Sequence, residues 1–288
     1  MFGLWDQLTQ WIKEALIGGI MSNFEGMFNE VNTKVADIAT QVGQTPESFN
    51  SGVFSMIRTL SDTVVIPIAG IILTLVVTYE LIQMIISHNN MGNFDTFNIY
   101  RWVFKTFVAV YILTHTFDIV MGVFGLAQYV INGSAGIIAG SLNAELSLDT
   151  LRVTLEAMEW YELLGLYIQS AIISFAMGAL SICIFIIING RMLEIYLTTS
   201  VASIPFATMA NREWGQIGQG YLKSLFAVAF QGFLIMVCVA IYGALLQGAA
   251  TSADPMGAVW GIVGYTVLLC FTLFKTGSLS KSIFGAHG

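Results

Sequence analysis

Ionisable residues inside long apolar stretches are the places where this chain could do chemistry, because a charge in hydrocarbon is costly unless it faces protein or water. Glu80 lies in the stretch 63–87, and His115 and Asp118 lie in 102–129 one helical turn apart. An imidazole and a carboxylate at that spacing share a helix face and suit a proton relay, a structural polar pair or a pore-facing group. Position weakens the sharper roles. Glu80 is seven residues from the end of its stretch, ~10 Å by helical rise, near enough to the interface to pair with Arg101 or Lys105. Gln169, Gln231 and Tyr265 read first as interhelical hydrogen-bond groups, worth about 1 kcal/mol or less each. No enzyme site is expected: three histidines allow no metal spacing, no Ser/His/Asp grouping appears, and there is no Gly-rich loop ending in Lys-Ser/Thr. Gly215, Gly218 and Gly220 have glycine spacing without the following Lys-Ser/Thr or a preceding strand, so a flexible hinge is the expected role. Asn132-Gly133-Ser134 matches a glycosylation sequon too short to carry weight.

The elements that must hold these residues are membrane helices. Apolar stretches at 63–87, 102–129, 163–188, 224–247 and 256–274 each reach or approach the ~20 residues that carry an α-helix across ~30 Å of hydrocarbon. The chain is 56% hydrophobic and 10% charged, which leaves no room for a large water-soluble domain. The expected fold is an all-α polytopic membrane protein with about five transmembrane helices, N-terminal amphipathic helices and one re-entrant or interfacial helix at 191–210. That last segment is the more polar through Glu194, Thr198, Thr199, Ser200, Ser203 and Pro205. Cys183, Cys238 and Cys270 all fall inside apolar stretches, where a thiol packs as a small hydrophobe. No cleavable signal is expected, so the first span serves as the insertion signal.

Four regions follow: 1–62, exterior and amphipathic; 63–129, the first two spans; 130–162, an acidic exterior loop with a helix; and 163–288, a C-terminal bundle with a cytoplasmic tail. In the first, Leu4, Trp5, Leu8, Trp11, Ile12, Ala15 and Leu16 recur at helical spacing opposite Asp6, Gln10, Lys13 and Glu14. After Gly18-Gly19 a second pattern runs Phe24, Met27, Phe28, Val31, Val35, Ile38 and Val42, which predicts two helices paired as a hairpin on the membrane or docked on another protein. Thr45-Pro46 and Ser51-Gly52 end that pattern, and Pro67 sits near the outer end of the first span, where a missing amide proton costs least. The loop 130–162 starts with Asn132-Gly133-Ser134, Gly136 and Gly140, and from about Leu148 places Leu148, Leu151, Leu155 and Met158 on one helical face.

Charge sets the orientation. With the N-terminus outside, five spans and 191–210 not crossing, the inner segments hold Arg101, Lys105, Arg191, Arg212, Lys223, Lys275 and Lys281, seven of the eleven basic residues. Of the four outside, Lys13 and Lys34 lie far from any span and weigh little in the positive-inside rule, leaving Arg58 and Arg152. A sixth span with the N-terminus inside gives six against three, a poorer segregation. Thirteen of the eighteen acidic residues then lie outside, which makes the exterior acidic. The abundant small residues, including Gly257, Gly261 and Gly264, permit close helix crossings within a subunit or between copies. Thirteen methionines add adaptable apolar surface.

Extended segments also carry a likeness. Gly190-Arg-Met-Leu-Glu-Ile-Tyr-Leu, Ser203-Ile-Pro-Phe-Ala-Thr, Asn211-Arg-Glu, Tyr221-Leu-Lys-Ser-Leu-Phe, Gln231-Gly-Phe-Leu-Ile-Met-Val-Cys and the run from Gly264 to Gly285 resemble the TrbL-type polytopic membrane subunit of conjugative type IV secretion systems. Upstream, Gly52-Val-Phe-Ser-Met-Ile-Arg, Tyr79-Glu-Leu-Ile-Gln and Trp102-Val-Phe-Lys-Thr-Phe-Val-Ala-Val fit as well. The form is similar to that of integrative conjugative elements of Gram-positive bacteria. The resemblance implies a non-enzymatic channel or platform subunit of the cell membrane, N-terminus outside, assembled as a homo-oligomeric ring, with five copies the first expectation. It implies work beside the system's ATPases, coupling protein and small membrane subunits, helping relaxase-bound single-stranded DNA leave the cell. No cofactor is expected, while bound phospholipids are. An acidic exterior with few arginines makes a poor DNA-holding surface, since that affinity rests on Lys and Arg at phosphates, so DNA contact is expected to be weak. A non-conducting scaffold of the same machine is the first rival. A secondary transporter is the second, although it calls for midplane binding residues and repeated halves that are not evident here.

The topology predicts that Asn32→Cys and Ser147→Cys, each in a background free of native cysteines, react with an impermeant maleimide added to intact cells, whereas Ser282→Cys does not. Labelling at position 282 from outside would overturn the orientation.

Overall fold

A computed structural model describes residues 2–87, 96–139, 148–250 and 255–286. Gly140 and Ser147 lie outside the described residues, as do the side chains of Leu4, Trp5, Asp6, Val31, Asn32, Val35 and Leu148. Every described element is helical: α1 (Phe2–Val42), α2 (Pro46–Phe49), α3 (Ser51–Leu60), a π-helical turn (Ser61–Val65), α4 (Ile66–Ser87), α5 (Thr96–Thr114), α6 (Thr116–Ala139), α7 (Leu148–Glu156), α8 (Trp160–Ser200), α9 (Ser203–Thr208), α10 (Gly215–Ala250) and α11 (Pro255–Ile283). Four helical stretches are long and apolar enough to cross a membrane: Ser51–Ile86, Trp160–Ser200, Gly215–Gly248 and Trp260–Ile283. The pair Phe97–Thr114 and Thr116–Ser134, bent by 69°, makes a fifth if it counts as one broken span. The chain is a multi-pass helical membrane protein.

The contacts divide it into two compact units. One comprises Met1–Val42, Asn132–Ile188 and Leu234–Lys275, the other Gly43–Ile131, Asn189–Phe233 and Thr276–Gly288. In the first unit, α1 is a single helix of 41 residues, not two helices broken at Gly18-Gly19. Gly18 meets open space, but a Cβ on Gly19 would stand 2.5 Å from the Tyr167 ring of α8. Close packing thus offsets the ~1 kcal/mol that a mid-helix glycine costs relative to alanine. Ile20, Phe24, Met27, Phe28, Ile38 and Val42 are buried, while Leu8 and Trp11 of the first stripe stay exposed. Asn23 Nδ2 donates to Ser170 Oγ at 2.9 Å. Helix α7 begins where the leucine spacing predicts, with Leu151 and Leu155 buried and α1 as its neighbour. The hydroxyls of Tyr242 and Thr266 tie α10 to α11 at 2.6 Å.

In the second unit the chain turns where Thr45-Pro46 and Asn50-Ser51 stand. Thr45 Oγ1 accepts from the Ser48 amide at 3.1 Å and Asn50 Oδ1 from the Val53 amide at 3.0 Å, two side-chain caps for orphan helical donors. Tyr196 of α8 donates to the Pro46 carbonyl at 2.6 Å and holds this corner. The π-helical turn precedes Pro67, whose ring has no amide to donate and crowds the carbonyl four residues back. Widening the turn so that the Ile66 amide bonds Ser61 O accommodates it without breaking the helix.

Three sequence expectations need correction here. The stretch 102–129 is not one straight span, because Thr114, His115 and Thr116 turn their side chains onto backbone carbonyls of residues 110–113 at 2.9–3.1 Å. Such back-bonding competes with the helical ladder and bends it. The segment 191–210 is not one separate helix either. Its first ten residues extend α8 to Ser200, with no breaker before Ala202, and only Ser203–Thr208 form the short α9, whose Ser203, Phe206, Ala207 and Thr208 are buried. Asn132-Gly133-Ser134 lies within α6 rather than opening a loop.

The described glycines differ in how closely the rest of the chain approaches them. Gly264 meets open space, whereas a Cβ on Gly218 would lie 2.6 Å from the Pro205 carbonyl and collide with Met209. The run Gly215, Gly218, Gly220 is thus the first turns of α10, packed on α9 at Gly218, and not a hinge. Gly218→Ala should destabilise the protein by about 1–3 kcal/mol through overpacking. Gly220→Ala, which meets nothing within 4 Å, should be neutral or stabilise by up to ~1 kcal/mol. Thermal unfolding in detergent measures both, and equal effects would remove the close crossing.

Candidate functional site

Most of the sequence-predicted polar residues lie in the second unit, with Gln169, Tyr265 and Lys275 in the first. The most connected group surrounds Glu80 on α4. Its Oε1 accepts from Lys105 Nζ of α5 at 2.8 Å, and its Oε2 from Asn211 Nδ2 at 2.7 Å. Asn211, 1% exposed, sits between α9 and α10, and its Oδ1 accepts from the amides of Glu213 at 2.7 Å and Trp214 at 3.3 Å. One carboxamide therefore caps the start of α10 and holds a carboxylate of α4. Beside it, Gln83 Nε2 donates to Glu213 at 3.0 Å, and Trp214 stacks on Tyr79 with centroids 5.6 Å apart. Trp102 Nε1 donates to the Val77 carbonyl at 3.2 Å, closing α5 onto α4. Charge-assisted bonds of this kind are about twice as strong as neutral ones, and more so away from water.

A cleft of about 800 Å³ opens next to this group, bordered by Glu80, Arg101, Lys105 and Arg212 at one end and by apolar side chains of α5 and α9. Arg101 and Arg212 are exposed and form no ion pair among the described residues.

A second group joins α8, α10 and α11. Glu194 pairs with Lys281 at 3.1 Å, Gln231 donates to Thr276 Oγ1 at 3.4 Å, and Ser280 donates to the Ala227 carbonyl at 2.5 Å. Arg191, expected among the inner-face basic residues, is buried, at 6% exposed. Its guanidinium lies so close to Gly232 that a Cβ there would stand 2.5 Å away, and its Nε has no hydrogen-bond partner among the described residues. Lys223 and Lys275 are exposed on α10 and α11.

His115 and Asp118 are not joined. His115 Nδ1 lies 3.0 Å from the Tyr111 carbonyl and its ring stacks on Tyr111, while Asp118 pairs at 3.6 Å with Arg58, whose guanidinium lies over Phe117. Gln169 is half-buried in the first unit, Gly257 is exposed and Gly261 is half-buried. Among the described residues, no group of three His, Cys, Asp or Glu converges as a metal site. Three residues that sequence reasoning gave no role are central here: Asn211, Trp214 and the bend-making Thr116. The physical signal for Asn211 was its place at the head of an apolar-periodic segment, the usual position of an N-cap.

The family model described as TrbL/VirB6 plasmid conjugal transfer like protein matches residues 31–203. The chain belongs to this family. Membership makes it a membrane component of a conjugal transfer machine, in a family that is not enzymatic. The matched segment holds the Glu80–Lys105 and Arg58–Asp118 pairs and Arg191, and ends at the start of α9. No curated protein and no solved structure matches the chain.

Asn211→Ala should lower stability by about 2–3 kcal/mol, because it strands a carboxylate oxygen and two amides. Asn211→Asp should cost more, since it keeps the cap but sets a second carboxylate against Glu80. Unfolding of the purified protein in detergent reads both, and an unaffected Asn211→Ala variant would show that the node is dispensable.

Proposed function

We propose that this TrbL/VirB6 family member is the polytopic platform of a conjugative type IV secretion system, of the form carried by integrative conjugative elements of Gram-positive bacteria. It works as a ring of five copies in the cell membrane, N-terminus outside and C-terminus in the cytoplasm, beside the system's ATPases and small membrane subunits. There it assists export of relaxase-bound single-stranded DNA. The observation that carries the platform role is that the carboxylates Glu80, Asp118 and Glu194 are each paired with a cation of the same subunit. Both oxygens of Glu80 are engaged, Asp118 meets Arg58, and Glu194 meets Lys281. The Glu80 node braces helices; a pathway wall would need its carboxylate free to meet water. Any DNA route then runs between copies, and contact with the strand is weak, as the scarcity of free basic residues requires. The ring is supported by apolar surface that the isolated chain leaves uncovered, including Ile71, Phe107 and Phe175, although lipid covers part of such a surface.

Glu80→Gln, Lys105→Met and the double variant separate bracing from lining. If the pair braces, each single variant leaves a lone polar or charged partner in the membrane. The amount of assembled protein and the DNA transfer frequency should then fall together several-fold, and the double variant should recover part of both. A transfer defect shared by all three variants with assembly intact would assign Glu80 to a conduit wall.

A further inference from the structure

The cleft beside Glu80 has the polarity gradient of an amphiphile. Along α5, Arg101, Lys105, Val108 and Ile112 line it at spacings of four, three and four residues, one continuous face of the helix. The stripe starts cationic and becomes apolar over eleven residues, ~16 Å by helical rise, close to half of a ~30 Å hydrocarbon core. Arg212 joins the cationic end from the α9–α10 connection, and Phe206 of α9 joins the apolar end. Glu80 also borders the cleft, but its carboxylate is committed to Lys105 and Asn211. That leaves Arg101 and Arg212, both exposed and without an ion pair among the described residues, as the uncompensated charges. Guanidinium groups bind phosphate oxygens through paired N–H donors. A span end is also where the headgroup layer begins.

We infer that this cleft is a binding site for an anionic phospholipid, its phosphate held by Arg101 and Arg212 and its acyl chains laid along Val108, Ile112 and Phe206. The volume of about 800 Å³ suits a headgroup with the upper part of its chains. The site lies within one compact unit, so it needs no second copy. It does not depend on the conjugal role proposed above. The topology proposed there would place it in the inner leaflet, whose anionic lipids attract basic residues near a span.

The test uses the full-length protein, stripped of lipid in mild detergent and titrated with phosphatidylglycerol or phosphatidylcholine while bound lipid is counted by native mass spectrometry. The wild type should retain phosphatidylglycerol in preference to phosphatidylcholine. Arg101→Gln/Arg212→Gln should reduce that preference roughly tenfold, as expected for losing two basic contacts at a headgroup. Because neither arginine is part of the Glu80 node, the variant should unfold at the wild-type temperature without added lipid. Val108→Trp, which fills the apolar end, should weaken both lipids alike. Three results would overturn the inference: equal retention of the two lipids by the wild type, an unchanged preference in the double arginine variant, or equal binding of soluble glycerol phosphate. Displacement of the lipid by a short single-stranded oligonucleotide would reassign the arginines to nucleic acid.

Discussion

A carboxylate in a membrane helix has to be answered at both oxygens, and that requirement organises the second unit. Glu80 is answered by a cation from α5 and a carboxamide from the α9–α10 connection. These partners come from three places in the sequence, 80, 105 and 211, so the node can form only when α4, α5 and the start of α10 are together. In a medium of low dielectric the penalty for a stranded charge exceeds the net gain from pairing it. The node therefore acts less as a source of stability than as a condition that misfolded arrangements fail to meet. Buried apolar side chains nearby, Leu73, Val76 and Leu113 among them, supply contact area but no such selectivity, since one aliphatic surface packs on another with little preference.

Arg191 follows a different rule. Its guanidinium forms no salt bridge among the described residues, with Glu194 the carboxylate whose charge reaches it, and the room it occupies exists because position 232 has no side chain. Family membership makes the chain part of a conjugal transfer machine, whose membrane helices have to stay in register. Polar bonds distributed over α4, α5, α8, α10 and α11 suit that requirement, because they are directional where apolar packing is not.

Much of the architecture was legible from composition alone. A run of apolar residues long enough to cross a bilayer has few other fates, so four straight spans emerged near their observed positions. Helix α7 was visible because leucines at a spacing of three and four residues leave one face to bury. Other features were hidden for physical reasons. The run through 102–129 is apolar on both sides of His115, so hydropathy does not register the bend; only the consecutive Thr114-His115-Thr116 marks it. Gly18-Gly19 reads as a break because helix propensity is local, whereas the Tyr167 ring that favours a glycine at 19 comes from far along the chain. Counting charges treats every arginine alike, so the burial of Arg191 was not visible in it. Helical rise alone put Glu80 near the interface and within reach of Arg101 or Lys105, yet the third member, Asn211, sits in a connection whose course no periodicity describes.

The bend at His115 differs from a proline kink in one respect. Proline deletes an amide and obstructs the carbonyl behind it, so the helix there cannot be restored while the residue stays. Between α5 and α6 the backbone keeps all its amides, and the departure from straightness rests on hydroxyl and imidazole groups attached to carbonyls 110–113. The angle is thus a property of side chains. Exchanging threonine for valine at 114 or 116 preserves shape and removes the competing donor, so the direction of α6 can be retuned in small steps without altering the length of either helix or disturbing the contacts that anchor α5.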